Sequence, residues 1–441
     1  MKKAILYIMS FFLALPVYAD YDVRGGSGGV YEAVNDAQNL IKVYLFNGLS
    51  GAEIAYTSDA GGASHQWFRY STSTRETTPV ASEVSGNTSF VRNMEDGFGY
   101  YVGTAAGPSV NYVIWVIDYS KYRPAMQSLV VEEDEDFKCE TIRLVIDPGA
   151  PALNYFHSDG QLRNIPRKFY LEYNYLRWEE EDKLFVEGHY NEELKGFFPD
   201  IDAPLINTSF TVRGDQFAEY FGKEEKMTSA EYVATAIDVH TFAYVITEEG
   251  EEELDSEQSY QAPLTVRFEA YSNDPPDVMY TWKMFRIDPM TGEREDSETF
   301  RYTTKDCEAT FNQSGTYEVI LEVKVPNNDD MCSYTSDEYE FRIFLEESSL
   351  RLPNAFSPGS TFGANDIYKV SYKSLVSFKA SIFNRWGNLL YTWTDPDQGW
   401  DGRVNGKYVP TGVYFIVVEA KGADGKKYKE NSDINILRSR N

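Results

Sequence analysis

Few residues of this 441-residue chain are spaced as reacting groups are. Gly25-Gly26-Ser27-Gly28-Gly29 has the Gly-x-Ser-x-Gly spacing that lifts a serine nucleophile onto a sharp strand-to-helix turn. No strand-like run precedes it and glycine surrounds it, so it reads as a flexible lead-in. The four histidines, His65, His157, His189 and His240, are scattered, and no two of them have the spacing that would set a pair of imidazoles on one helical face for a metal. Asp200 and Asp202 are neighbouring carboxylates of the kind used in acid/base work. In a chain with 69 acidic residues such pairs arise throughout. Tyr170, Tyr173, Tyr175 and Trp178 could stack on sugar rings, yet packing of strand faces on their neighbours is the safer reading. The sequence therefore implies no catalytic residues, no metal ligands and no cofactor, and the expectation is a protein that is not an enzyme.

The three cysteines allow one disulfide and one leftover thiol. Cys307 and Cys332 flank the strand-like run Gly315 to Val325, while Cys139 lies far upstream. A Cys307–Cys332 bridge would close a loop of about 25 residues and contribute roughly 3 to 4 kcal/mol by loop entropy. Two small buried thiols explain the same residues.

These residues need elements to hold them, and the composition favours strands. Aromatics make up 15% of the chain, with 33 tyrosines, and such residues suit a pleated, half-buried surface. A length of 441 residues suggests about three or four domains. Three acidic clusters, Glu132 to Asp136, Glu248 to Glu253 and Glu346-Glu347, read as solvated linkers between them. The expected divisions are 20–131, 137–247, 256–346 and 350–441, and the fold class is all-β, a row of β-sandwiches. Gln66 to Tyr70 supplies a core tryptophan strand, and Asp96 to Val102 the approach to a tyrosine corner, for an immunoglobulin-like first domain. Phe169 to Trp178 alternates strongly, and Thr241 to Ile246 could close the second domain. In Val413 to Val418 both alternating faces are apolar, which suits a strand covered on both sides.

The ends of the chain speak to compartment. Lys2 and Lys3 precede the apolar run Ala4 to Val17, and Val17-Tyr18-Ala19 offers a small-residue cleavage pattern, so residues 1–19 read as a secretory signal peptide. No later run approaches the roughly 18 apolar residues of a membrane span. Residues 350–441 hold 13 Lys and Arg against 8 Asp and Glu, a net of +5, so the remainder carries −33 of the total −28. A body this acidic repels nucleic acid, whose phosphates need cationic partners.

Two resemblances sharpen this reading. Tyr280 to Phe285 followed by Ser314 to Val323 is similar to the polycystic-kidney-disease (PKD) type of β-sandwich. The ordered series Pro353-Asn354-Ala355-Phe356-Ser357-Pro358, Phe383-Asn384-Arg385-Trp386-Gly387, Gly399-Trp400-Asp401-Gly402, Gly412-Val413-Tyr414-Phe415 and Ile434 to Arg438 resembles the type B C-terminal sorting domain of the Bacteroidetes type IX secretion system, also called the gliding motility-associated C-terminal domain. That resemblance implies export to the periplasm by the signal peptide, then delivery to the cell surface or secretion. It also implies partners among the type IX translocon components and a SprF/PorP-like outer-membrane protein. The residues it would place in sorting and partner recognition are Asn384, Arg385, Trp386, Gly387, Trp400, Asp401 and Gly402, with Trp386, Trp400, Tyr414 and Phe415 expected mainly in the core. Where members of the family carry Pro-Asn-Gly-Asp-Gly before Asn-Asp, this chain has the longer loop Pro358 to Ala364 before Asn365-Asp366, and that loop lacks the acidic residue.

Two function classes follow. One is a non-enzymatic surface protein, binding or structural, or an accessory subunit of the secretion or motility apparatus. The other is a glycan- or peptide-acting enzyme on the same tail. The absence of a dedicated catalytic domain favours the first.

Overall fold

The structure is a computed structural model that describes residues 20–104, 107–108, 112–326, 331–359 and 365–437. The signal peptide and Arg438 lie outside the described residues. Among the described residues regular structure is strand throughout, except for one five-residue helix, Gln216–Tyr220, and two 3-10 turns. The fold is all-β, as the composition requires, and no described helix is long and apolar enough to cross a membrane.

Two compact units hold the chain, residues 1–175 with 187–234 and residues 176–186 with 235–441. In the first unit, the sheet Asp20–Arg24, Glu53–Thr57, Thr88–Val91, Glu83–Ser85 faces a larger one in which Ile41–Phe46 and Val113–Asp118 run parallel. Trp67 is buried as expected, its indole N–H donating to Ser89 Oγ at 2.8 Å. The tyrosine corner is also present: the Tyr100 hydroxyl accepts the backbone N–H of Glu95 at 2.8 Å. The following module runs from Ser128–Glu132 to Glu225–Thr228. Its core is continuous with the first, because Tyr119 lies against Phe217 and Phe221, and Trp115 against Phe156.

At that shared core sits Asp215, fully buried. Its carboxylate accepts from the Tyr119 hydroxyl and from Arg167 Nε, both at 2.5 Å, and from the Ala218 backbone N–H at 2.9 Å. Arg167 also donates to the carbonyls of Pro151 and Tyr122, so both charges are enclosed by partners. Burial, then the neighbouring Asp215 carboxylate, push the Tyr119 phenol far above its ordinary range, so it stays a donor.

The second unit begins with a correction. The expectation is that Thr241 to Ile246, which lies in the strand Val239–Thr247, closes the second domain, with Glu248 to Glu253 as a linker. Instead that strand pairs antiparallel with Leu264–Ser272 along its length and with Gly250–Glu253, so the acidic run is a hairpin of the third module. Glu251 is ion-paired with Arg267 at 2.6 Å. Glu132 to Asp136 is likewise a hairpin turn, joining Ser128–Glu132 to Thr141–Asp147 inside the second module. Like charges crowd a hairpin tip as readily as a linker, since both face water.

The third module places Trp282 in its core, with the indole N–H on the Lys305 carbonyl at 3.0 Å, and Tyr317 donates to the Gln313 carbonyl at 3.0 Å. Trp178 lies parallel to His240 in this unit, with ring centroids 4.2 Å apart, so that aromatic is taken up by packing. Tyr173, in the first unit, is likewise stacked on Tyr190 at 4.9 Å.

The Cys307–Cys332 bridge is not formed. Cys307 is a free thiol on the inward face of Cys307–Phe311, opposite Phe268. A cysteine in that inward position is spent on the sandwich core, and burial, then Asp306, push its thiol up to about 12.

Glu346 to Ser349 is a joint, but not a solvated one. Ser348 is buried, and its hydroxyl donates to Asp424 Oδ1 at 2.7 Å. Partial burial works against the Asp424 carboxylate, yet the Ser348 hydroxyl and the backbone N–H groups of Lys426, Ser348 and Asp424 outweigh it and hold its pKa below the ordinary value. Ala423 beside it belongs to the core of the third module, and the Ser374 hydroxyl accepts the Ala262 N–H at 3.2 Å. The last domain is thus seated on the third through the turn Ala423 to Gly425.

Candidate recognition site

The last domain is built on a five-stranded sheet, in the order Ala355–Phe356, Lys427–Ile436, Gly412–Gly422, Leu375–Phe383, Leu389–Trp393, accompanied by the two-stranded pairs Ser349–Arg351 with Ser371–Lys373 and Arg403–Val404 with Lys407–Tyr408. Its inner face packs on a core containing Phe356, Tyr368, Trp400, Tyr414 and Ile416, with Leu350, Leu352 and Tyr372 set against it. The Tyr414 hydroxyl donates to the Pro410 carbonyl at 3.0 Å, repeating the corner seen in the third module. The residues singled out for recognition fall on two turns of this framework.

Phe383 to Leu389 is a hairpin turn. Asn384 Oδ1 accepts the backbone N–H groups of Trp386 at 2.9 Å and Asn388 at 3.0 Å, which closes the turn through the side chain. Gly387 sits at φ +79°, a left-handed conformation that favours glycine. Asn384 and Gly387 therefore shape the loop, and what they present is Arg385 and Trp386. Trp386 was expected in the core; its side chain is instead 78% exposed, with the Arg385 guanidinium 5.6 Å from its ring centre. A four-residue turn points its central side chains outward, and the strands that flank it take the core positions.

The second turn is the reverse case. Trp400 is fully buried against Phe356 and Tyr414, and its indole N–H donates to the Arg403 carbonyl at 3.0 Å. Its backbone exchanges both hydrogen bonds with Tyr368. Gly402 lies at φ +74° with Pro358 so near that a Cβ would stand 2.8 Å from its ring. Asp401 caps the turn by accepting the Arg403 N–H at 3.0 Å, and is exposed. Of the seven expected recognition residues, the structure leaves Arg385, Trp386 and Asp401 with outward side chains and uses the rest to build turns and core.

Phe415 is also corrected, from core to 44% exposed. Gly412–Gly422 alternates strictly, with Tyr414, Ile416 and Val418 inward and Val413, Phe415 and Val417 outward, because this sheet has one open face. The outward residues stand in register with Asn435, Asp433 and Asn431. That polar alternation in Lys427–Ile436 was the available sign of a wet face. Phe383 pairs in register with both Phe415 and Leu389, and so an apolar row crosses three strands on the open side. Sequence reasoning did not find that row.

A β-sheet domain of this build, closing a run of β-sandwich modules and displaying two turns, is the class that the fold and site define. Residues 350–435 match the family model for the CHU_C Type IX secretion signal domain. Residues 130–229 match that of the fibronectin type III domain. The chain thus carries a type IX secretion signal after immunoglobulin-like modules, and is cargo for export to the cell surface or beyond. No curated protein matches the chain. Among solved structures it is similar to a tetra-tandem repeat from the extending region of a large adhesion protein, at 11% identity and TM-score 0.21, covering 92% of this chain and 98% of that one. It is also similar to trypsin-activated alpha-2-macroglobulin from Escherichia coli, at 11% identity and TM-score 0.18, covering 95% of this chain and 33% of that one. Dimeric latent PorU from Porphyromonas gingivalis is similar at 10% identity and TM-score 0.16, covering 77% of this chain and 35% of that one. The chain spans about a third of the length of the last two.

Proposed function

We propose that this is a non-enzymatic cell-surface protein, brought to the periplasm by residues 1–19 and carried across the outer membrane through residues 350–441. It is then retained on an outer-membrane partner of the SprF/PorP-like kind, as a binding or structural subunit of the secretion or motility apparatus. The observation that carries this reading is Trp386, an exposed tryptophan on a rigid turn beside Arg385, within the matched secretion domain. Exposing so much aromatic surface gains nothing for folding, and Trp with Arg is the pair most often found at the centre of protein interfaces. Asp401 on the second turn adds a negative group to the same outward set.

Changing Arg385→Ala together with Trp386→Ala should leave folding stability within about 0.5 kcal/mol, because both side chains face water. In the native host we expect the double variant to accumulate in the periplasm with little at the surface. Normal surface levels of the folded variant would remove the turn from recognition.

A further inference from the structure

The open face of the last sheet carries two chemistries at once. At one end the row Leu389, Phe383 and Phe415 crosses three strands and ends on Asp433 of the fourth, with Val413 and Val417 on either side of Phe415 along the same strand. Two residues further along, Lys379 and Lys429 flank Glu419 in register, and beyond them Lys421 is paired directly with Lys427. All of these lysines are exposed. Lys379, Lys421, Lys427 and Lys429 line a shallow depression of about 440 Å³. Like charges set opposite each other across two strands cost stability, and Glu419, 3.6 Å from Lys429, is the only acidic residue in those two rows. An anionic ligand lying on the sheet would relieve that repulsion.

We propose that this face is a lipid-docking surface, with the lysine rows on anionic headgroups and the row through Phe415 reaching the boundary of the acyl chains. Lysines beside a flat apolar strip are what a headgroup layer over hydrocarbon complements, since the stems of the lysines lie along apolar surface while their ammonium groups reach phosphate. The charge division of the chain supports the same orientation. The last domain is net +5 and the rest −33, so an anionic surface attracts this face and repels what precedes it. The inference stands on the chemistry of the face and leaves out the Arg385–Trp386 turn, so it and the export reading fail independently.

The test is sedimentation of the full mature chain with vesicles of phosphatidylglycerol and, separately, of phosphatidylcholine. We expect binding to the first, weakened by salt, and little to the second. Lys421→Gln with Lys427→Gln, and separately Phe415→Ser with Val417→Thr, should each lower the partition coefficient roughly tenfold or more. Circular dichroism confirms that the variants are folded. Absence of binding to phosphatidylglycerol, or binding unchanged in both folded variants, overturns the proposal. Dimers in light scattering that are lost in these variants, without vesicle binding, would assign the face to a second copy of the chain and overturn it equally.

Discussion

Replacing Asp215 by alanine should destabilise the first unit by about 3 to 5 kcal/mol, a large part of the 5 to 15 kcal/mol that holds a typical domain. The substitution removes the acceptor for the Tyr119 hydroxyl, for the Ala218 N–H in the first turn of the helix and for Arg167. What makes the loss large is Arg167, whose side chain is itself buried in the ion pair and would be left with a charge and no counter-charge. Tyr119→Phe removes only one donor and should cost far less, about 1 kcal/mol. Urea denaturation followed by circular dichroism measures both. Equal losses for the two variants, or a loss under about 1 kcal/mol for Asp215→Ala, would mean the ion pair does not hold the two modules together.

The second large effect is expected at Trp400. Truncation to alanine empties a site enclosed by Phe356 and Tyr414 and deletes a buried indole hydrogen bond, for about 3 to 5 kcal/mol. Trp386→Ala, earlier in the same domain, should change stability by less than about 0.5 kcal/mol. The contrast between the two tryptophans is the useful quantity, because each is the control for the other. A Trp386→Ala variant that unfolds with Trp400→Ala would place both rings in the core and remove the exposed turn on which the functional reading rests.

That contrast also shows what the sequence could and could not tell. Trp67 and Tyr100 were legible because each lies in a strand or corner whose local pattern already specifies an inward side chain. Trp386 was misread by residue type, although Asn384 and Gly387 on either side carry the chemistry of a turn. Phe415 was misread because an all-apolar strand does not say whether a second layer covers it. That information lay in the alternation of Lys427, Lys429, Asn431 and Asp433 on the neighbouring strand. Glu248 to Glu253 was taken for a linker because charge reports only exposure to water. The pairing of Val239–Thr247 with Leu264–Ser272, which places the run inside a sandwich, is a long-range fact. Cysteine partners are of the same kind: Cys307 and Cys332 are near in sequence, and the inward register of Cys307 decided the matter. The ordered motifs from Pro353 to Ile434 were read correctly as one domain, since a series of turns and strands at fixed spacing is local information.

The central claim is that residues 350–441 deliver this chain to the cell surface. The most direct measurement is to delete them in the native host and follow the remaining chain by protease accessibility on intact cells. The account predicts that the truncated chain folds, stays in the periplasm and is protected from added protease until the outer membrane is opened. Truncated chain at the surface in normal amounts would contradict it.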